Sequence, residues 1–123
     1  MTKILIIDDN PMAQHTISRI LESAGYEVIT AANGREGLAA FHLQQPDLVV
    51  SDIIMPEKEG IETIMEILRD KPGTKIIAIS GGGRMGNTDL LQVAKKLGAT
   101  ETLAKPFDPQ DLLDCVALCL KAA

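Results

Sequence analysis

The sequence has no tryptophan, one tyrosine and two phenylalanines. A surface that stacks nucleic-acid bases on aromatic rings is poorly served by so few, and the core must be built from Ile, Leu, Val, Ala and Met. Cysteine is scarce too. Cys115 and Cys119 stand four residues apart in an apolar helical pattern, without the CxxC spacing of a redox or zinc site. They read as small core-facing hydrophobes in a reducing compartment. No apolar run approaches the ~20 residues of a membrane span. Met1-Thr2-Lys3 runs straight into a short apolar stretch with no secretory signal, so a cytoplasmic location is the expectation. A basic excess is also missing: 12 Lys and Arg face 17 Asp and Glu, for a net charge of −5. That argues against non-specific nucleic-acid binding and against attraction to anionic membrane surfaces.

What is present is a chain of 123 residues, 46% hydrophobic, which suits one compact domain over residues 1–123 with a core of its own. Short apolar runs alternate with helical patterns. Strands are expected at 3–7, 27–30, 48–51, 75–79 and 100–103. Asn10-Pro11 reads as an N-cap followed by proline at the first helical position. Ile17, Ile20, Leu21 and Ala24 then recur at helical spacing, and Gly25 closes the helix. Asn33 caps a helix carrying Leu38 and Phe41. Ile61, Ile64, Met65 and Leu68 mark a third, ended by Pro72-Gly73. Leu90, Leu91, Ala94 and Leu97 mark a fourth, closed by Gly98. Asp108-Pro109 opens a fifth with Leu112, Leu113, Val116 and Leu120. Five strand–helix units without a linker predict an α/β fold, a parallel sheet covered on both faces. The first, third and fourth strands are apolar on both alternations and belong inside it; the more polar second and fifth suit its edges.

Open parallel sheets bind ligands beyond the carboxyl ends of their strands. Asp8 and Asp9 follow the first strand, Asp52 the third, Ser80 the fourth and Lys105 the fifth. Three carboxylates crowded together repel one another unless a cation sits among them. Hard oxygen donors suit magnesium, or manganese, better than zinc. Lys105 then offers a positive charge and Ser80 a hydrogen-bond donor to phosphate oxygens. A carboxylate can itself be the nucleophile and form an aspartyl-phosphate; Asp52, a lone acid at the end of a central strand, is the natural candidate. Each residue also has a plainer role open to it. Asp8 and Asp9 could cap the first helix, Asp52 could serve a turn, Lys105 could be a solvated lysine and Ser80 could bond its own loop. It is the five together, at the ends of four strands, that favour a site.

These residues resemble the response-regulator receiver domains of two-component signalling, over essentially the whole chain. The likeness is carried by Ile4-Leu5-Ile6-Ile7-Asp8-Asp9-Asn10, by Asp47-Leu48-Val49-Val50-Ser51-Asp52-Ile53-Ile54-Met55-Pro56, by Gly60, by Ile76-Ile77-Ala78-Ile79-Ser80-Gly81 and by Lys105-Pro106-Phe107. The resemblance implies a flavodoxin-like, doubly wound five-stranded parallel sheet of order 2-1-3-4-5 with five helices. It implies a phosphoacceptor signalling switch, catalysing only its own phosphorylation and dephosphorylation. Asp52 would take a phosphoryl group from a sensor histidine kinase or phosphotransfer protein and relay the signal to a downstream protein target or fused output domain. Asp9 would be a direct magnesium ligand and Asp8 its partner, in part through water, with the main-chain carbonyl of Ile54 as a further ligand. Ser80 would be the switch hydroxyl and Lys105 the amine that meets the phosphate, with the Lys105–Pro106 bond cis.

Two places depart from the family. Thr102 stands where an aromatic residue often swings inward on activation. The run Gly81-Gly82-Gly83-Arg84-Met85-Gly86 is unusually rich in glycine, so readout through loop movement is the expectation. An aspartyl phosphatase would want a second acid at Ile54. A flavodoxin-type nucleotide or flavin carrier would find Asp8-Asp9-Asn10 repelling its phosphate. His15 and His42 have no paired metal ligand and read as solvated or packing residues. Phe107 reads as a packing residue.

Overall fold

The computed structural model describes residues 2–53, 59–80 and 87–121. Its elements run β1 (Lys3–Ile7), α1 (Pro11–Ser23), β2 (Glu27–Ala31), α2 (Gly34–Gln44), β3 (Leu48–Asp52), α3 (Glu59–Asp70), β4 (Ile76–Ser80), α4 (Asn87–Leu97), β5 (Glu101–Ala104) and α5 (Pro109–Lys121). The five strands are parallel and ordered β2-β1-β3-β4-β5. This is the flavodoxin-like order that the resemblance to receiver domains implies. Ile54, Met55-Pro56, the glycine-rich stretch 81–86 and the side chains of Leu90 and Leu91 lie outside the described residues.

The hydrophobic pattern explains which strands lie inside the sheet. Every residue of β3 and β4 is buried, as is β1 from Ile4 onward; such strands need helices on both faces. Leu5, Ile7, Val49 and Ala78 point to the side covered by Phe41, Ile64, Ile67 and Ala94 of α2, α3 and α4. Their neighbours Ile4, Ile6, Val50 and Ile77 point to Ile17, Leu21, Leu112 and Val116 of α1 and α5. Phe107 is partly buried against this second face. Cys115 and Cys119 belong to it as well. The Cys119 thiol hydrogen-bonds Cys115, and that bond together with burial raises its pKa above the ordinary thiol value.

Helix ends obey their local signals. The Asn10 side chain accepts from the N–H groups of Met12 and Ala13 at 2.9 and 3.2 Å, with Pro11 at the first helical position. Gly25 takes φ +94° just past the end of α1, a conformation in which a Cβ is disfavoured. Asn33 caps α2 through the Glu36 N–H.

The inward stripe of α3 is not quite the expected one. Met65 is 50% exposed, while Ile67 is fully buried. Gly60, Thr63, Ile64 and Ile67 form the inward line, and Met65 lies about 100° around the helix from Ile64. Leu97, last in α4, is also exposed. Asp52 and Ser80 are the final residues of β3 and β4, not the first residues after them, because the ladder runs one step further: Asp52 pairs with Ile79 and Ser80 with Ala104.

Candidate functional site

Register decides which side chains meet. Ile7 is opposite Ser51, so Asp8 comes level with Asp52. Asp52 is opposite Ile79, and Ser80 opposite Ala104. One further step along each strand brings Asp8, Asp52, Ser80 and Lys105 to one edge of the sheet. Two main-chain bonds extend that edge: Asp8 N–H donates to the Ala31 carbonyl at 3.1 Å and Lys105 N–H to the Ser80 carbonyl at 2.8 Å. The Lys105–Pro106 peptide bond is cis.

Carboxylate oxygens of Asp8, Asp9 and Asp52 lie within 4.8 Å of one another. Asp8 and Asp52 are buried and Asp9 is exposed. Lys105 Nζ sits 3.4 Å from Asp8 Oδ2 and 3.5 Å from Asp52 Oδ2. One ammonium against three carboxylates leaves two negative charges in a partly desolvated pocket, which is unfavourable without a further cation. The donor set fits magnesium in kind: three carboxylates offer the hard oxygen ligands that such an ion takes. The Ser80 hydroxyl is buried and has no hydrogen-bond partner among the described residues. A buried hydroxyl without a partner is uncommon and fits an acceptor that arrives with a ligand.

The five sequence candidates that fall among the described residues thus gather at one end of the sheet. The Asp8 carboxylate also accepts from the Asn10 N–H at 2.9 Å, so Asp8 braces the start of α1 while Asn10 caps it. Sequence reasoning assigned nothing to Gln14. Its side-chain amide donates to the main-chain carbonyls of Asp8 at 2.6 Å and Ala31 at 3.2 Å. A polar residue one turn past the N-cap was the only signal, and it was too weak to single out. Thr102 lies on β5 opposite Ala78 and is partly buried. His42 pairs with Asp70 at 3.1 Å across the ends of α2 and α3, away from this edge; His15 is exposed.

The model of the response regulator receiver domain matches residues 4–117. The chain belongs to that family. It is 37% identical to the chemotaxis protein CheY of Thermotoga maritima over 115 residues, covering 93% of each protein. With protein PilH of Pseudomonas aeruginosa it shares 33% over 116 residues, 94% of this chain and 95% of the relative. A crystal structure of a receiver domain protein from Clostridium thermocellum superposes with a TM-score of 0.89 at 34% identity, over 98% of this chain and 94% of the other. The receiver is therefore a phosphoacceptor signalling switch. Receivers work with a kinase or phosphotransfer protein and with an output target, and members of the family bind magnesium at an acidic pocket. No helix among the described residues is long and apolar enough to cross a membrane.

Proposed function

We propose that Asp52 is the phosphoryl acceptor of this receiver and that Asp8, Asp9 and Asp52 hold magnesium, with manganese as a substitute. The Ile54 main-chain carbonyl, outside the described residues, completes the protein's ligands in this reading. The observation that carries it is the shared position of Lys105, within 3.5 Å of both buried carboxylates. Asp8 has one oxygen engaged by the Asn10 N–H and the other by Lys105, and Asp9 is exposed. Asp52, buried at the end of a central strand and beside Lys105, is the nucleophile in this reading.

The donor is a phosphohistidine on a sensor histidine kinase or phosphotransfer protein. An Asp52 carboxylate oxygen bonds to phosphorus as the phosphorus–nitrogen bond breaks, and the electron pair leaves with the imidazole, which takes up a proton. Bound magnesium supplies neutralisation of the phosphoryl oxygens. Lys105 adds a fixed positive charge at the same oxygens, and little else is asked of the protein in such a transfer. The new dianion offers the Ser80 hydroxyl an acceptor, which it lacks among the described residues. That contact biases β4, and the chain beyond it, between two arrangements, and a downstream protein or fused output domain reads the change. The chain, taken as one domain over 1–123, acts on no other substrate and works in the cytoplasm. With a net charge of −5 it contacts neither nucleic acid nor membrane directly.

Incubation with magnesium and a small acyl phosphate, followed by intact mass, tests the reading. One phosphoryl adduct is expected, absent in Asp52→Asn and absent with a chelator. An adduct that survives Asp52→Asn, or none with any donor, overturns it.

A further inference from the structure

We propose that Gln14 is the positioning residue of the acid pair, fixing the Asp8–Asp9 peptide so that both carboxylates face one cation; this rests on the proposed metal site.

Every polar group of Asp8 has a partner. Its N–H reaches the Ala31 carbonyl, its carbonyl accepts from Gln14 Nε2, Oδ1 accepts from the Asn10 N–H and Oδ2 faces Lys105. Three of these partners are main-chain groups or the charged end of Lys105. The fourth, Gln14, is a neutral side chain that reaches back from α1. Helical side chains lean toward the helix N-terminus, which is why a residue one turn in can touch the ends of two strands. A primary amide has two N–H donors, and Gln14 gives both to main-chain carbonyls. The Ala31 carbonyl also accepts from the Asp8 N–H, so Gln14 ties together the chain ends of β1 and β2 at the last bond between them.

The consequence falls on Asp9. The peptide unit is planar, so a bond that holds the Asp8 carbonyl also holds the Asp9 nitrogen and Cα. Among the described residues no hydrogen bond holds the Asp9 side chain, which is exposed; the held peptide fixes the Cα from which that side chain reaches the cation. Gln14 thus acts on the cation site without touching the cation.

Three variants test this, each taken through magnesium titration on amide chemical shifts and through thermal unfolding without metal. Gln14→Met keeps the length and loses the donors; magnesium affinity is expected to fall roughly tenfold, as for other residues that orient metal ligands. Gln14→Glu sets an acceptor against two carbonyls and should bind at least as weakly as Gln14→Met. Gln14→Arg keeps donors and should bind more tightly than Gln14→Met. A purely electrostatic effect has the opposite sign: an added acid tightens cation binding and an added base loosens it. Wild-type affinity in Gln14→Met, or a tighter Glu variant, overturns the positioning role alone. Absence of magnesium binding by the wild-type chain overturns the metal reading and this one together. If Gln14→Met unfolds without metal, the order of the Glu and Arg variants decides.

Discussion

Lys105 holds its ammonium between Asp8 and Asp52, 3.4 Å from one carboxylate and 3.5 Å from the other. Neither contact is a short ion pair, and the lysine is still 26% exposed. The arrangement matches a positive charge that serves whatever anion occupies the pocket, more than a bond that holds the fold together.

Replacing that charge separates binding from chemistry. In Lys105→Met the acids lose a competitor for the divalent ion, so magnesium affinity should hold or rise. Acceptance of a phosphoryl group should slow by roughly 10²-fold or more, the scale seen when one group that stabilises developing charge is removed. Magnesium titration beside single-turnover phosphorylation reads both. A parallel fall in the two would mean that Lys105 builds the pocket instead of acting on the phosphoryl group.

Asp52→Asn should stabilise the metal-free chain. It removes one of three clustered carboxylates, and Lys105 keeps Asp8 as a partner. The expected gain is on the order of 1 kcal/mol, a few degrees in Tm for a domain of this size. Saturating magnesium should raise the wild-type Tm and raise that of the variant less, because binding to the native state is what stabilises. Thermal scans with and without the ion check this; a destabilised metal-free variant would contradict the crowding argument.

Most of the fold was legible because strand burial tracks the apolar pattern so closely. The uninterrupted apolar runs that become β3 and β4 could sit only inside a doubly covered sheet, and Asn10-Pro11 and Gly25 marked the ends of α1 directly. The acids, Ser80 and Lys105 were legible because strand ends converge. Met65 misled because a short helix offers two adjacent apolar lines, and only tertiary contact chooses between them. Gln14 stayed hidden for a different reason. Its partners are main-chain carbonyls, which carry no sequence signature, and a surface glutamine looks the same with or without them.

Gly60 marks a close approach of backbone to backbone at this end of the sheet. A Cβ there would stand 2.5 Å from the Asp52 carbonyl oxygen and 2.5 Å from the Ile53 Cα. Those are backbone atoms, so no side chain can swing aside. Gly60→Ala should destabilise by about 1–3 kcal/mol, the usual range for overfilling a close contact. The start of α3 or the end of β3 must also shift, which disturbs the acceptor. Stability to urea and the phosphorylation rate should therefore fall together; an unchanged rate in a destabilised variant would separate Gly60 from the site.

Ser80 supplies the sharpest contrast between structure and switching. Its hydroxyl is buried without a partner among the described residues, and an unsatisfied group of that kind costs about 1–3 kcal/mol. Truncating a buried polar residue normally destabilises. Here Ser80→Ala should leave the unphosphorylated chain as stable as the wild type, or about 1 kcal/mol more stable, since the lost oxygen bonds nothing among the described residues. Phosphoryl transfer needs Asp52, Lys105 and the metal, so the variant should still accept a phosphoryl group at a rate near that of the wild type. The response should be reduced: amide shifts across β4 and β5 that accompany phosphorylation should shrink, because the phosphoryl group no longer has a hydroxyl on β4 to draw. A Ser80→Ala chain that is clearly less stable before phosphorylation would assign the hydroxyl a structural bond. One that responds in full would remove Ser80 from the switch.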